Sequence, residues 1–334
     1  MQSFGEFMQK WLYGESGYYR NLHIGKEGDF YTSVSVSEFF GYTLGYYLQE
    51  QLSSLQNQKI AIVEIGAERG NLISDIAFFL KENFLNFHKI DFLILEPLKS
   101  LHNIQNQTFL QKIDSKNLLI VEDFQSIKSL HYDFIFYCSN ELLDAFPCEL
   151  YYQGQIAFIE DNILSFKKAP KPIEQIAQKF HLQISEIPLY IEEFIKNCND
   201  CAKNWMFLTF DYGSLETRNE FSLRLFEKHS TKNLFISPKS TEYDKSFLES
   251  FNKCDITYDV NFTIWNNYFE TIGAKKLFCH RQNRALVDMG LDKVGEWYIA
   301  KYGLQSFMKH SAKIRTLLEP GLLGERFLGM AFVK

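Results

Sequence analysis

The stretch Lys59 to Gly70 reads KIAIVEIGAERG, and its reading decides the fold. The run Ile60-Ala61-Ile62-Val63 ends in Glu64 and is followed by Gly66 and Gly70. Asn71 stands where an N-cap belongs, and Leu72, Ile76, Leu80 and Phe84 recur at the i+4 spacing of an amphipathic helix. Strand, glycine turn and helix is how an α/β protein offers backbone N–H groups and a positive helix end to a polar or anionic ligand. A dinucleotide fingerprint starting at Gly66 needs two further glycines, where the chain has Glu68 and Asn71. An acidic strand end followed by Gly-x-x-x-Gly fits a different nucleoside-binding turn.

Further strands follow in parallel-sheet style, each between helical patterns. Ile90 to Leu95 closes on Glu96, Leu118 to Val121 on Glu122-Asp123, and Tyr132 to Tyr137 on Cys138-Ser139-Asn140-Glu141. Trp205 to Phe210 is a fifth, Ala274 to Cys279 a sixth, and GERFLGMAFVK ends the chain as a seventh. Ligands of open α/β sheets bind beyond the carboxyl ends of the strands, so four polar strand ends in succession point to a nucleoside-type site. Glu96 is placed to accept both ribose hydroxyls, since a carboxylate takes two donors at once. Asp123 is placed to accept the exocyclic amine of an adenine. In NELLDAFP, Asn140, Glu141 and Asp144 crowd acceptors at the mouth of the sheet, where they suit a sulfonium or a cationic substrate.

The 334 residues hold one large core or two smaller ones. A net charge of −6, without a Lys/Arg block, argues against nucleic acid as a partner. No apolar run approaches the roughly 20 residues of a membrane span, so membrane insertion is not expected. The start, MQSFGEFMQKWLYGESGYY, lacks a basic segment followed by an apolar one, and a cytoplasmic location is expected. Cys198-x-x-Cys201 has metal spacing, but it falls on the apolar face of a helical pattern and reads as buried thiols; no metal is expected. Glu149 to Phe166 alternates in two arms around Gly154, a hairpin, whereas 214–250 has little periodicity and reads as a loop, a lid or a substrate segment.

Taken together, GYY (Gly17 to Tyr19) with IGKEGDFYTS, FFG (Phe39 to Gly41), NELLDAFP, FDYG (Phe210 to Gly213), CDITYDVNF (Cys254 to Phe262) and GERF (Gly324 to Phe327) resemble the MidA-type class I methyltransferases. Mitochondrial members of that family are assembly factors for respiratory complex I. The resemblance runs over nearly the whole chain. It implies an α/β, Rossmann-like fold with a seven-stranded, mainly parallel sheet and an antiparallel last strand. It also implies an N-terminal helical cap (1–55) and a core (56–334) with inserts at about 149–203 (hairpin plus helices), 214–253 (loop) and 282–323 (helical). The implied cofactor is S-adenosylmethionine. The implied reaction is methyl transfer to a protein side chain, arginine among the candidates, with a protein substrate such as a respiratory complex subunit as partner; a homodimer is one open arrangement. Glu64, Gly66 and Gly70 would form the methionine-binding turn, Glu96 the ribose contact, and Gly28, Asp29, Phe30, Tyr31 and Thr32 a closure from the cap. Asn140, Glu141 and Asp144 would line the transfer site.

The chain departs from the family's E-x-G-P-G-x-G turn, with Ala67 for proline and Glu68 for the middle glycine. An inward Glu68 would oppose the methionine carboxylate. In Tyr258-Asp259-Val260-Asn261-Phe262 the family's histidine has become Asp259 and its aspartate Asn261. These departures motivate a second reading, a non-catalytic descendant that binds or assembles. A nicotinamide-dependent oxidoreductase is a third, weakened by the missing glycines.

Overall fold

Strand-forming apolar runs and glycine turns build the first of two compact units, Tyr31–Leu142 with Phe194–Asp211 and Phe269–Lys334. The computed structural model describes residues 1–21, 32–55, 57–114, 118–227 and 230–334. The strands of this unit are β1 (Ile60–Ile65), β2 (Ile90–Leu95), β3 (Leu118–Val121), β4 (Phe134–Asn140), β5 (Asn204–Ser214), β6 (Lys275–Arg281) and β7 (Phe327–Val333). They lie in the order β3-β2-β1-β4-β5-β7-β6. The first five are parallel neighbours. Strand β7 runs antiparallel to β6, and Trp205 and Lys334 exchange N–H···O bonds at 2.9 Å each, as antiparallel partners do. These are the seven strands expected from the sequence, and a two-residue strand, Val260–Asn261, adds an eighth by pairing with the end of β5.

Every residue of β1 is buried, the mark of a central parallel strand covered on both faces. Helices α1 (Glu38–Leu52), α2 (Asn71–Asn83) and α3 (Lys99–Lys112) belong to the same unit. A Cβ on Gly41 or Gly45 of α1 would run into Asp75 and Phe79 of α2, so these glycines let the two helices approach closely. Cys198 and Cys201 are buried thiols, as expected, with Cys201 Sγ directed at backbone carbonyls.

The second unit gathers Met1–Phe30, Leu143–Glu193 and Tyr212–Tyr268. Its N-terminal helix, Phe4–Tyr13, starts with a capping box between Ser3 and Glu6. The helix buries Phe4, Phe7, Met8, Trp11 and Leu12 in a core completed by Leu150, Ile159, Leu225, Phe247 and Ile256. The expected hairpin is present as Cys148–Tyr152 and Gln155–Glu160, and two further strands, Ile163–Lys168 and Ile184–Pro188, extend it. The segment read as a loop differs from expectation. Arg224–Glu227 and Ser230–Asn233 pair with each other, and Asp255–Thr257 joins them in an antiparallel sheet. Its partner strand comes from beyond the segment, so local pattern alone gave it little weight. Alternation was nonetheless there: Phe221, Leu223 and Leu225 are all buried. Among the described residues, no helix is long and apolar enough to cross a membrane.

Candidate functional site

The turn between β1 and α2 is built from three left-handed residues, Gly66 (φ +73°), Glu68 (φ +46°) and Gly70 (φ +78°). Glycine adopts this backbone without penalty; a glutamate does so at a cost of about 1–2 kcal/mol. A glycine at position 68 would carry no such strain. The side chain of Glu68 is exposed, yet protein surrounds it closely enough to raise its carboxyl pKa, with Arg69 acting in the opposite sense. The expected N-cap, Asn71, is instead the first helical residue, and Gly70 occupies the cap without a side chain to offer. Glu64 supplies what the cap lacks: its Oε2 accepts the Ile73 N–H at 3.0 Å. Burial pushes the Glu64 carboxyl up to about 8, the Ile73 hydrogen bond acting against this.

Glu96 stands at the end of β2, next to the turn through the β1–β2 pairing of Ile65 with Leu95. Its Oε1 accepts the Leu98 N–H at 2.8 Å, and its Oε2 accepts Nε2 of Gln105 at 3.2 Å. Burial raises its pKa, while these bonds and His102 lower it. Two of the four acceptor positions of the carboxylate are taken, which leaves two for a pair of hydroxyls. Gln105 Nε2 also donates to the Glu68 carbonyl at 3.0 Å. Gln105 escaped the sequence reading, although a signal existed: it lies between Leu101 and Phe109 at i+4 spacing, a polar residue on a buried stripe.

Asp123 caps the short helix Phe124–Ser129, its Oδ1 accepting the Ser126 N–H at 2.7 Å and the Ser126 hydroxyl at 2.8 Å. These bonds hold its pKa below the ordinary value. Its Oδ2 is the atom an adenine amine would have to use. Thr32 heads the helix Ser33–Val36 in a reciprocal box with Ser35. Gly28, Asp29, Phe30 and Tyr31 lie outside the described residues.

At the end of β4, Asn140 Nδ2 donates to Glu141 Oε1 at 2.9 Å, and the Glu141 N–H donates to the Phe210 carbonyl at 2.9 Å. Glu141 is also left-handed, with φ +52°. Asn140 Oδ1 is buried with no hydrogen-bond partner among the described residues. Strain and an unpaired polar atom at one strand end are features that concentrate at functional positions.

Asp144 belongs to the second unit, where the Thr257 hydroxyl donates to its Oδ2 at 2.5 Å. Burial pushes its carboxyl up to about 6, with Thr257 and Arg224 lowering it. Asp259 bridges Arg218 and Arg224, both at 2.6 Å, and the Arg224 guanidinium lies over the rings of Tyr212 and Phe226. Asn261 caps the helix Phe262–Thr271, its Oδ1 accepting the Thr263 N–H at 3.1 Å, a task asparagine and aspartate perform equally well.

A nucleoside cofactor fits the first unit by its turn and its half-engaged Glu96. A Cβ on Gly66 would meet nothing nearer than Leu142 Cδ1 at 3.2 Å, and solvent reaches Gly66 itself, so the turn presents bare backbone.

Three comparisons bear on this arrangement. The sequence profile of an S-adenosyl-L-methionine-dependent methyltransferase family matches residues 43–279, more than half of the chain. The rat protein named "Protein arginine methyltransferase NDUFAF7, mitochondrial" is 24% identical over 96% of this chain and 78% of its own length. The human protein of the same name is 24% identical over the same shares. Among solved structures, a Burkholderia thailandensis protein bound to S-adenosyl-homocysteine superposes with a TM-score of 0.78 at 18% identity, covering 99% of this chain and 87% of that one. A native structure from the same organism gives 0.75 at 19% identity, with the same coverage.

Proposed function

Because the chain belongs to the S-adenosyl-L-methionine-dependent methyltransferase family, we propose that it methylates a protein side chain and that the acceptor is an arginine. The observation that carries the reading is the turn Gly66–Gly70 beside Glu96, which meets the needs of the family's cofactor. In this reading the turn and the Glu64 side chain hold the methionine end, Glu96 takes the ribose hydroxyls, and Asp123 Oδ2 takes the adenine amine. S-adenosylmethionine supplies an electrophilic methyl group.

The relatives that match over 96% of the chain carry arginine methyltransferase names, which supports arginine as the acceptor. So does the chemistry of Glu141. A guanidinium nitrogen must be oriented and must lose a proton as it is alkylated, and a carboxylate fixed by a neighbouring amide does the first and accepts the second. Asn140 fixes Glu141 in that way. Incubating the purified protein with methyl-tritiated S-adenosylmethionine and a protein extract should leave label on arginine after acid hydrolysis. Label on lysine or another residue overturns arginine as the acceptor. No label together with no binding of S-adenosylhomocysteine at millimolar concentration overturns the enzyme.

A second reading has a specific observation behind it. Glu68 holds a strained backbone where the family has glycine, and a chain that binds the cofactor poorly would serve as a binding or assembly module. Micromolar affinity for S-adenosylhomocysteine removes that reading.

A further inference from the structure

Gln105 lies on the buried stripe of α3 and is wholly shielded from solvent. Its amide nitrogen reaches two acceptors, the Glu68 carbonyl at 3.0 Å and Glu96 Oε2 at 3.2 Å. Both are acceptors only, so the amide is locked in one orientation, nitrogen toward the turn. Its Oε1 is then buried with no hydrogen-bond partner among the described residues. An unpaired buried oxygen is destabilising, and a methionine or leucine would fill the same space without it. The two bonds do something packing alone cannot: they join the turn to Glu96.

We propose that Gln105 is a positioning residue for cofactor recognition, clamping the Glu68 carbonyl of the glycine turn to the ribose-binding carboxylate of Glu96. The proposal rests on the reading that Glu96 accepts the ribose hydroxyls. With Oε1 held by the Leu98 N–H and Oε2 by Gln105, the Glu96 carboxylate cannot rotate, and its remaining lone pairs keep one direction. A pre-oriented acceptor pays less on binding than one that must be ordered. The clamp also fixes the strained Glu68 peptide. Backbone closeness reinforces it: a Cβ on Gly70 would lie 3.5 Å from Gln105 Cα, so the turn rests directly on α3 at this residue.

The test is calorimetric titration of wild type and Gln105→Met with S-adenosylhomocysteine and with its 2′,3′-dideoxyribose analogue. Loss of a hydrogen bond to a charged group predicts that Gln105→Met binds S-adenosylhomocysteine about tenfold more weakly. The dideoxy analogue should lose distinctly less affinity, because that ligand still uses the turn but makes no use of Glu96. Equal loss for both ligands, or no loss for either, overturns the clamp while leaving the cofactor reading intact. Wild type that binds both ligands equally well overturns the Glu96 assignment, and wild type that binds neither overturns the cofactor site; the clamp falls with either. Gln105→Leu, which likewise lacks the donors and adds no charge, gives the same comparison should the methionine variant not fold.

Discussion

Glu68 and Glu64 differ in kind: one is strained in backbone, the other in charge. At Glu68 the backbone is left-handed without the freedom of glycine. Glu68→Gly should raise unfolding free energy by about 1 kcal/mol, the strain relieved exceeding the added chain entropy, as measured by urea denaturation. It should also raise affinity for S-adenosylhomocysteine more than tenfold if the glutamate charge opposes the ligand, about 1–4 kcal/mol at about 4 Å. Unchanged affinity would mean that the side chain turns away from the ligand. Glu64 is a buried carboxyl pushed up to about 8 from an ordinary 4.5. Below about pH 4.5 folded and unfolded states both hold its proton, and it has no effect on stability. Between about 4.5 and 8 only the folded state holds it, so stability falls as pH rises through that window. Glu64→Gln keeps an acceptor for the Ile73 N–H and abolishes the titration. Its stability curve should be flatter than wild type across that window, and parallel curves would refute the assignment.

At the scale of elements, the start of α2 shows how a helix end is completed from outside itself. Gly70 has no side chain for capping, and the first-turn donor at Ile73 is met by Glu64 of the preceding strand. Strand β1 thus contributes to the helix that follows it, and the turn keeps its backbone bare. In the other unit, the helix Phe4–Tyr13 has a comparable dependence on distant residues. Trp11 is wholly buried and its indole N–H donates to the Cys254 carbonyl at 2.7 Å. Trp11→Ala should destabilise that unit by about 3–5 kcal/mol, the range for deleting a buried aromatic, seen as a lower urea midpoint. A change of under 1 kcal/mol would show that the helix is not integral to its core.

For the whole molecule, the buried carboxyls act together. Besides Glu64, burial pushes Asp75, Asp255 and Glu186 up to about 7 and Asp144 to about 6. Each holds a proton in the folded state that the unfolded chain releases, so each lowers stability as pH rises from its ordinary value toward its raised one. The melting temperature should therefore fall between pH 6 and pH 8, on the order of several degrees, by scanning calorimetry. A rise over that interval would refute the charge assignment. Cofactor binding opposes this loss. S-adenosylhomocysteine at about a hundred times its dissociation constant should stabilise the fold by about 2.7 kcal/mol, and an unshifted melting temperature at millimolar ligand would count against the cofactor site.

Much of the sheet could be read from the chain because parallel strands buried on both faces are short apolar runs, and each here is closed by a polar residue. Ile60–Ile65, Ile90–Leu95 and Phe134–Asn140 are local signals, and so is the spacing of glycines after Glu64. The position of Glu96 at the next strand end followed from the same local pattern. What no local pattern contained was pairing between distant segments. Arg224–Glu227 became a strand only through Asp255–Thr257, and Asp144 found its donor in Thr257, more than a hundred residues away. Nor did the sequence show that Glu68 would be left-handed, that Glu64 would cap α2, or that Gln105 would join the turn to Glu96. Hydrophobic periodicity is set by neighbours in the chain, and so the sequence alone determined the strands of the central sheet, the place of the glycine turn and the family they belong to. Hydrogen bonds and charge burial depend on which groups meet in space, and those only the tertiary structure decided.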